Sequence, residues 1–152
     1  MRNVKVGRTV NASQSVVWEV LADYPNIADW NDGVSKSYGL GEQAEGVGAQ
    51  RRCELAPNGK MQMSETVAEW LPVERMVIDI GEIEKMPIKS ATMTFTLSGD
   101  GDGTHVAMSY DYEPKGGPLG MIYGPVMDKQ MQKGFGGFID SLEREARVRA
   151  AN

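Results

Sequence analysis

The chain has 152 residues, 41% of them hydrophobic and 24% charged, a balance that predicts one soluble globular domain able to build its own core. A net charge of -5 argues against nucleic acid or an anionic membrane as a partner held by charge, and the lone Cys53 allows no intrachain disulfide. No stretch approaches the ~20 apolar residues of a membrane span. The opening MRNVKVGRTV lacks the apolar run of a signal peptide, so a cytoplasmic protein without stable membrane insertion is expected.

Residues 4–10, VKVGRTV, alternate valine with polar residues and predict a strand. A helix follows, with Ser13 as its N-cap and Val17, Trp18, Val20 and Leu21 on its apolar side. Pro25 breaks it, and a further short turn ends near Trp30. Six strands are then predicted, over 34–41, 47–55, 60–70, 74–82, 88–98 and 104–113. Glycine- and proline-rich turns separate them, and the short connections make neighbouring strands antiparallel. From Pro118 to Ala150 the chain reads as helix, with Pro125 starting its main segment or kinking it. The whole of 1–152 is one α+β domain: a seven-stranded antiparallel sheet with a long C-terminal helix on its apolar face.

Period-two alternation puts Met76, Ile78 and Ile80 on one inward face, with Ala91, Met93, Phe95 and Leu97, and Val106, Met108, Tyr110 and Tyr112. In the helix, Met127, Met131, Phe135, Phe138 and Leu142 form one stripe. Ten methionines in the chain, many on these faces, suit either an irregular core or a cavity that adapts to a guest. Gly134, Gly136 and Gly137 are a further oddity, because each glycine inside a helix costs about 0.5–1 kcal/mol relative to alanine.

The order of strand, two short helices, six antiparallel strands and long terminal helix resembles the START-like helix-grip superfamily (SRPBCC), which includes the birch-pollen-allergen and polyketide cyclase/dehydrase groups. Three stretches carry the likeness: ASQSVVWEVLADYPNIADW, GDGDGTHVAMSYDYEP and GGFIDSLEREAR. The resemblance implies a strongly curved sheet wrapped around the helix and a cavity between them for a hydrophobic or amphipathic molecule such as a lipid or polyketide. Gly134 then lies where a side chain would fill that cavity.

Polyketide cyclases of this superfamily carry an inward serine and arginine on one strand. The matching stretch here is Ser64-Glu65-Thr66-Val67-Ala68-Glu69, so Ser64 is kept and the arginine position holds Thr66. Threonine cannot polarise a carbonyl as a guanidinium does, which weighs against cyclase chemistry. Alternation can turn either Gln62, Ser64, Thr66 and Trp70 inward or Met61 and Met63. The first set is preferred because it leaves Glu65 and Glu69 in water. Arg51, in line with Ala49, Cys53 and Leu55, is either an anchor for a ligand carboxylate or an arginine paired with a neighbouring acid. Arg8, in line with Val4, Val6 and Val10, poses the same choice.

Cys53 reads as a small buried residue and His105, the only histidine, as an outward one. No metal site, phosphate loop or cofactor is expected. The expected ligand-binding residues are therefore Arg51, Gln62, Ser64, Thr66, Trp70, Ile78, Met93, Phe95, Met108, Tyr110, Tyr112, Met127, Met131, Gly134 and Phe135. The expected partner is a small hydrophobic ligand, with a polyketide cyclase or dehydratase as the alternative.

Overall fold

The computed structural model describes all residues, Met1–Asn152. Strand β1 (Arg2–Val10) leads into helix α1 (Gln14–Ala22) and a 3-10 turn (Tyr24–Asp29). Strands β2 (Val34–Leu40), β3 (Gln50–Leu55), β4 (Gln62–Leu71), β5 (Arg75–Glu84), β6 (Ile88–Asp100) and β7 (Gly103–Pro114) follow, then helix α2 (Pro118–Ala150). The seven strands form one sheet in the order β1-β7-β6-β5-β4-β3-β2, antiparallel throughout. Each of β2 to β7 pairs with its neighbour in sequence, and β1 closes onto the last. This is the helix-grip arrangement, with the sheet curved around α2.

Local chemistry explains each piece. Ser13 caps α1, its Oγ accepting from the Val16 amide, and Val17, Trp18, Val20 and Leu21 are buried under the helix. Pro25 stands at the start of the 3-10 turn, where its missing N–H leaves no gap. The curvature comes from register breaks at Val34/Lys36 in β2, at Gln62/Ser64 and Val67/Glu69 in the β4–β5 pair, and at Ile88/Ser90 in β6. Each inserts an unpaired residue that bends its strand. The β6–β7 hairpin turns through Gly101 and Asp102, with Gly101 at φ +62°, a left-handed conformation open to glycine.

Helix α2 runs unbroken through Pro125, which neither starts nor ends it. The helix begins instead at Pro118, and the Met121 carbonyl loses its usual N–H partner at Pro125. The C-terminal half is anchored by the fully buried Ile139, Leu142 and Ala146. Ion pairs reinforce it, Arg8 with Asp140 and Glu143 at 2.6 and 3.0 Å, Arg144 with Asp32, and Arg149 with Asp23. Arg8 is thus a tie between β1 and α2.

The first turns of α2 are held differently. Leu119, Met121, Ile122, Tyr123 and Val126 are each more than half exposed, so burial adds little there. Arg2 and the Tyr112 hydroxyl both donate to Asp128. Gly124 makes that approach possible, because a Cβ there would lie 2.5 Å from the Arg2 guanidinium. Between these two attachments, residues 131 to 138 bridge the concave face of the sheet.

Candidate functional site

Under that bridge lies a cavity of about 250 Å³, with 14 hydrophobic residues among the 19 that line it. At ~30 Å³ per water, this is room for roughly eight waters or a small organic molecule. Its floor is the inward face of the central strands, with Ile78 and Ile80 from β5, Met93 and Phe95 from β6 and Tyr110 from β7. Its roof is Met131, Phe135 and Phe138 of α2. Phe138 stacks on Phe95 with ring centroids 5.3 Å apart, and Phe135 meets Tyr110 at 5.0 Å.

Two exposed glycines, Gly33 before β2 and Gly134 on α2, belong both to this lining and to a surface groove outside it. The mouth therefore lies between the 31–33 loop and the Gly134 turn. A Cβ built on Gly134 meets nothing within 4 Å, so the glycine leaves open space rather than relieving a clash. The same is true at Gly136 and Gly137, neither of which lines the cavity.

One end of the cavity is polar. Arg51 and Glu65 are directly opposite each other across the β3–β4 pair. Arg51 Nε donates to Glu65 Oε1 at 2.6 Å, and Arg51 Nη1 donates to the Tyr24 carbonyl at 2.9 Å. The guanidinium also lies over the Tyr24 ring, 3.9 Å from its centroid. Arg51 is 5% exposed and Glu65 9%, so each charge is tolerated because the other is there. Cys53 Sγ contacts the same Oε1 at 3.6 Å. Burial, and then the Glu65 charge beside it, push the Cys53 thiol up to about 12. Burial raises the Tyr110 phenol as well, with Glu65 again adding to the shift.

Of the residues expected from sequence, Arg51, Ile78, Met93 and Phe95 line this cavity, as do Tyr110, Met131, Gly134 and Phe135. The others do not. Gln62, Ser64 and Thr66 lie on the outer face of the sheet. Gln62 and Ser64 accept from Arg52, and Thr66 accepts from Gln50. The inward residues of β4 are Met63, Glu65 and Val67. The expectation failed because it kept Glu65 in water, whereas the cross-strand Arg51 supplies the counter-charge that lets Glu65 turn in.

The register break at Ala68 then flips the strand, so Trp70 does face the core, but against Trp18 of α1 at 5.2 Å and away from the cavity. Met108 and Tyr112 are inward yet sealed, the first 1% exposed and the second 0% exposed with its hydroxyl on Asp128. Met127 is half-buried one turn before the cavity roof. Glu65 and the 31–33 loop were missed. An arginine on a strand face otherwise made of Ala49, Cys53 and Leu55 was the available signal, since a buried guanidinium calls for a carboxylate on the adjacent strand.

No helix is long and apolar enough to cross a membrane. No curated protein matches the sequence. Among solved structures, TTHA0849 from Thermus thermophilus is similar, at 19% identity and a TM-score of 0.81 over 97% of this chain and 99% of that one. Ara h 8.0201 is 13% identical with a TM-score of 0.76, covering 97% of this chain and 98% of its own. The Zhui aromatase/cyclase from Streptomyces sp. R1128 is 21% identical with a TM-score of 0.75, covering 98% and 95%. At these identities the likeness is one of fold. The family described as polyketide cyclase / dehydrase and lipid transport matches residues 1–147, nearly the full length, and it is to this family that the chain belongs.

Proposed function

We propose that the protein binds a small hydrophobic or amphipathic molecule, of lipid or polyketide type, in the cavity between sheet and α2, and that it does so in the cytoplasm. The observation that carries this reading is the hollow itself. Its lining is mostly apolar, its roof is about two turns of helix with a glycine at the mouth, and its polar side chains are few, chiefly Arg51, Glu65, Tyr110 and Asn31. Sites for small organic ligands have this composition, a predominantly apolar wall with a few placed polar groups. The lipid-transport and cyclase members of the family support the same class of guest.

Native mass spectrometry of freshly purified protein tests the proposal, together with titration of the neutral fluorophore N-phenyl-1-naphthylamine. A co-purifying adduct or saturable fluorescence with 1:1 stoichiometry is expected. Neither an adduct nor saturable binding would defeat it.

Catalysis of cyclase or dehydratase type is the second reading. A carboxylate (Glu65) and a phenol (Tyr110) share one apolar space, a setting in which proton transfer to a bound poly-carbonyl chain is feasible. It would use other groups than Ser64, whose hydroxyl is bonded to Arg52 on the outer face. Turnover of a model poly-β-ketone by the wild type, lost in Glu65→Gln with probe binding intact, would favour catalysis over storage or transport.

A further inference from the structure

The polar end of the cavity carries information about the guest. Arg51 uses Nε on Glu65 and Nη1 on the Tyr24 carbonyl, while its Nη2 makes no hydrogen bond to the protein. Glu65 uses Oε1 for both Arg51 and Cys53, while its Oε2 has no protein partner. Both residues line the cavity and both are buried from bulk solvent. Tyr110 lines it too, and its hydroxyl has no protein partner. The rest of the wall is mostly apolar; Asn31 also lines it, its Oδ1 accepting from the Gly33 amide and its Nδ2 left as one further neutral donor.

Resting on the binding function proposed above, we infer that the site selects an uncharged head group with a hydrogen-bond acceptor and a donor side by side, such as a carboxamide or a hydroxy-carbonyl, carried on a short apolar tail. The acceptor accepts a hydrogen bond from Arg51 Nη2 and the donor donates one to Glu65 Oε2. The ion pair is already neutral as a unit. A carboxylate head would face the Glu65 carboxylate with no cation left uncompensated, and repulsion in a space shielded from water is weakly screened. This replaces the simpler expectation that Arg51 anchors a carboxylate. An ester or ketone lacking a donor would satisfy Arg51 alone and leave Glu65 Oε2 unmatched. A site built to hydrogen-bond a polar group rejects the analogue that leaves a buried partner unpaired. The tail must be short, because the cavity is about 250 Å³.

The test is isothermal titration of the full chain near pH 8 with three probes of equal tail length: octanamide, octanoate and methyl octanoate. The wild type should bind octanamide about tenfold or more tightly than either of the others. In Glu65→Gln, Arg51 is no longer neutralised, so octanoate should gain and the amide-over-carboxylate ratio should fall or invert. In the double variant Arg51→Met/Glu65→Leu, the three probes should bind within about threefold of one another while N-phenyl-1-naphthylamine still binds. Octanoate binding as tightly as octanamide to the wild type, with both saturable, would overturn the head-group assignment and leave the binding function standing. Head-group selection surviving in the double variant would do the same. If none of the three probes nor the fluorophore binds the wild type, the binding function itself falls and this inference with it. The wild-type comparison decides the matter even if a variant does not fold.

Discussion

Replacing Gly134 with leucine separates the cost of a glycine in a helix from its use at the mouth of a cavity. The backbone of α2 is regular there, and a Cβ meets nothing within 4 Å. Gaining a good helix former should therefore stabilise the fold by up to about 1 kcal/mol. For a domain of this length that is a rise of roughly 2–4 °C in Tm. The side chain also has to go somewhere. At the ~30 Å³ a water takes, its four carbons fill on the order of 100 Å³. The cavity is only 250 Å³ and Gly134 is part of its lining. Removing roughly 60 Å² of apolar ligand contact costs about 1.5 kcal/mol, a little over tenfold in Kd. Thermal melts and N-phenyl-1-naphthylamine titration of Gly134→Leu, Gly134→Ala and Gly137→Ala read both effects. Gly137 is the control, with equally open space at its Cβ but no place in the cavity lining. All three variants should melt higher, and Gly134→Leu should bind markedly less. If Gly134→Leu is stabilised like Gly137→Ala with its Kd unchanged, the glycine leaves no usable space and the mouth is elsewhere.

Three further outcomes are expected. Arg51→Met leaves Glu65 buried without its cation and should cost about 3–5 kcal/mol, whereas Arg51→Met/Glu65→Leu should lie much closer to wild type; equal losses in urea denaturation would show that the pair does not act as a unit. Cys53, with its thiol pushed up to about 12, should not react with Ellman's reagent in the native protein near pH 8, and labelling should track unfolding in urea. Because that folded value lies above the ordinary ~8.5, stability should decline as pH rises from there, and prompt native labelling would contradict the burial described. At the acid end, hydrogen bonds from Arg144 to Asp32, from Arg2 to Asp128 and from the Asn11 amide to Glu143 hold all three carboxyls below their usual range. Groups depressed in the folded state stabilise it above about pH 4 and lose that contribution as pH falls through their folded values. Tm should fall below about pH 4, and Arg2→Ala should lose its Asp128 share at a higher pH than wild type; an unchanged acid limb in that variant would argue against the Asp128 tie.

The architecture was legible in the chain because it is written in local periodicities. Alternation in residues 4–10 and in the stretches holding Ile78, Phe95 and Tyr110 defines strand faces, and the spacing from Met127 to Leu142 defines a helical stripe. Short turns then leave an antiparallel meander as the simple topology. Each of these signals depends on neighbours a few positions away. The phase of β4 is different. Its alternation fits two inward faces equally well, and the choice was made by Arg51 on β3, which pairs directly opposite Glu65.

Only the folded sheet brings that guanidinium and that carboxylate within 2.6 Å, and only then does turning Glu65 inward become cheaper than leaving Arg51 buried and unpaired. The bulge at Ala68, which sends Trp70 to Trp18 instead of the cavity, likewise follows from sheet curvature and has no sequence period. The hollow is the clearest case. Sequence determined that methionines, aromatics and a glycine would face one another across sheet and helix. Whether their volumes meet or leave a gap depends on how far the helix stands from the sheet, and that distance is set by anchors outside the cavity, at Ile139 to Ala146 and at Asp128. Packing is a property of surfaces in contact, so it was decided in three dimensions.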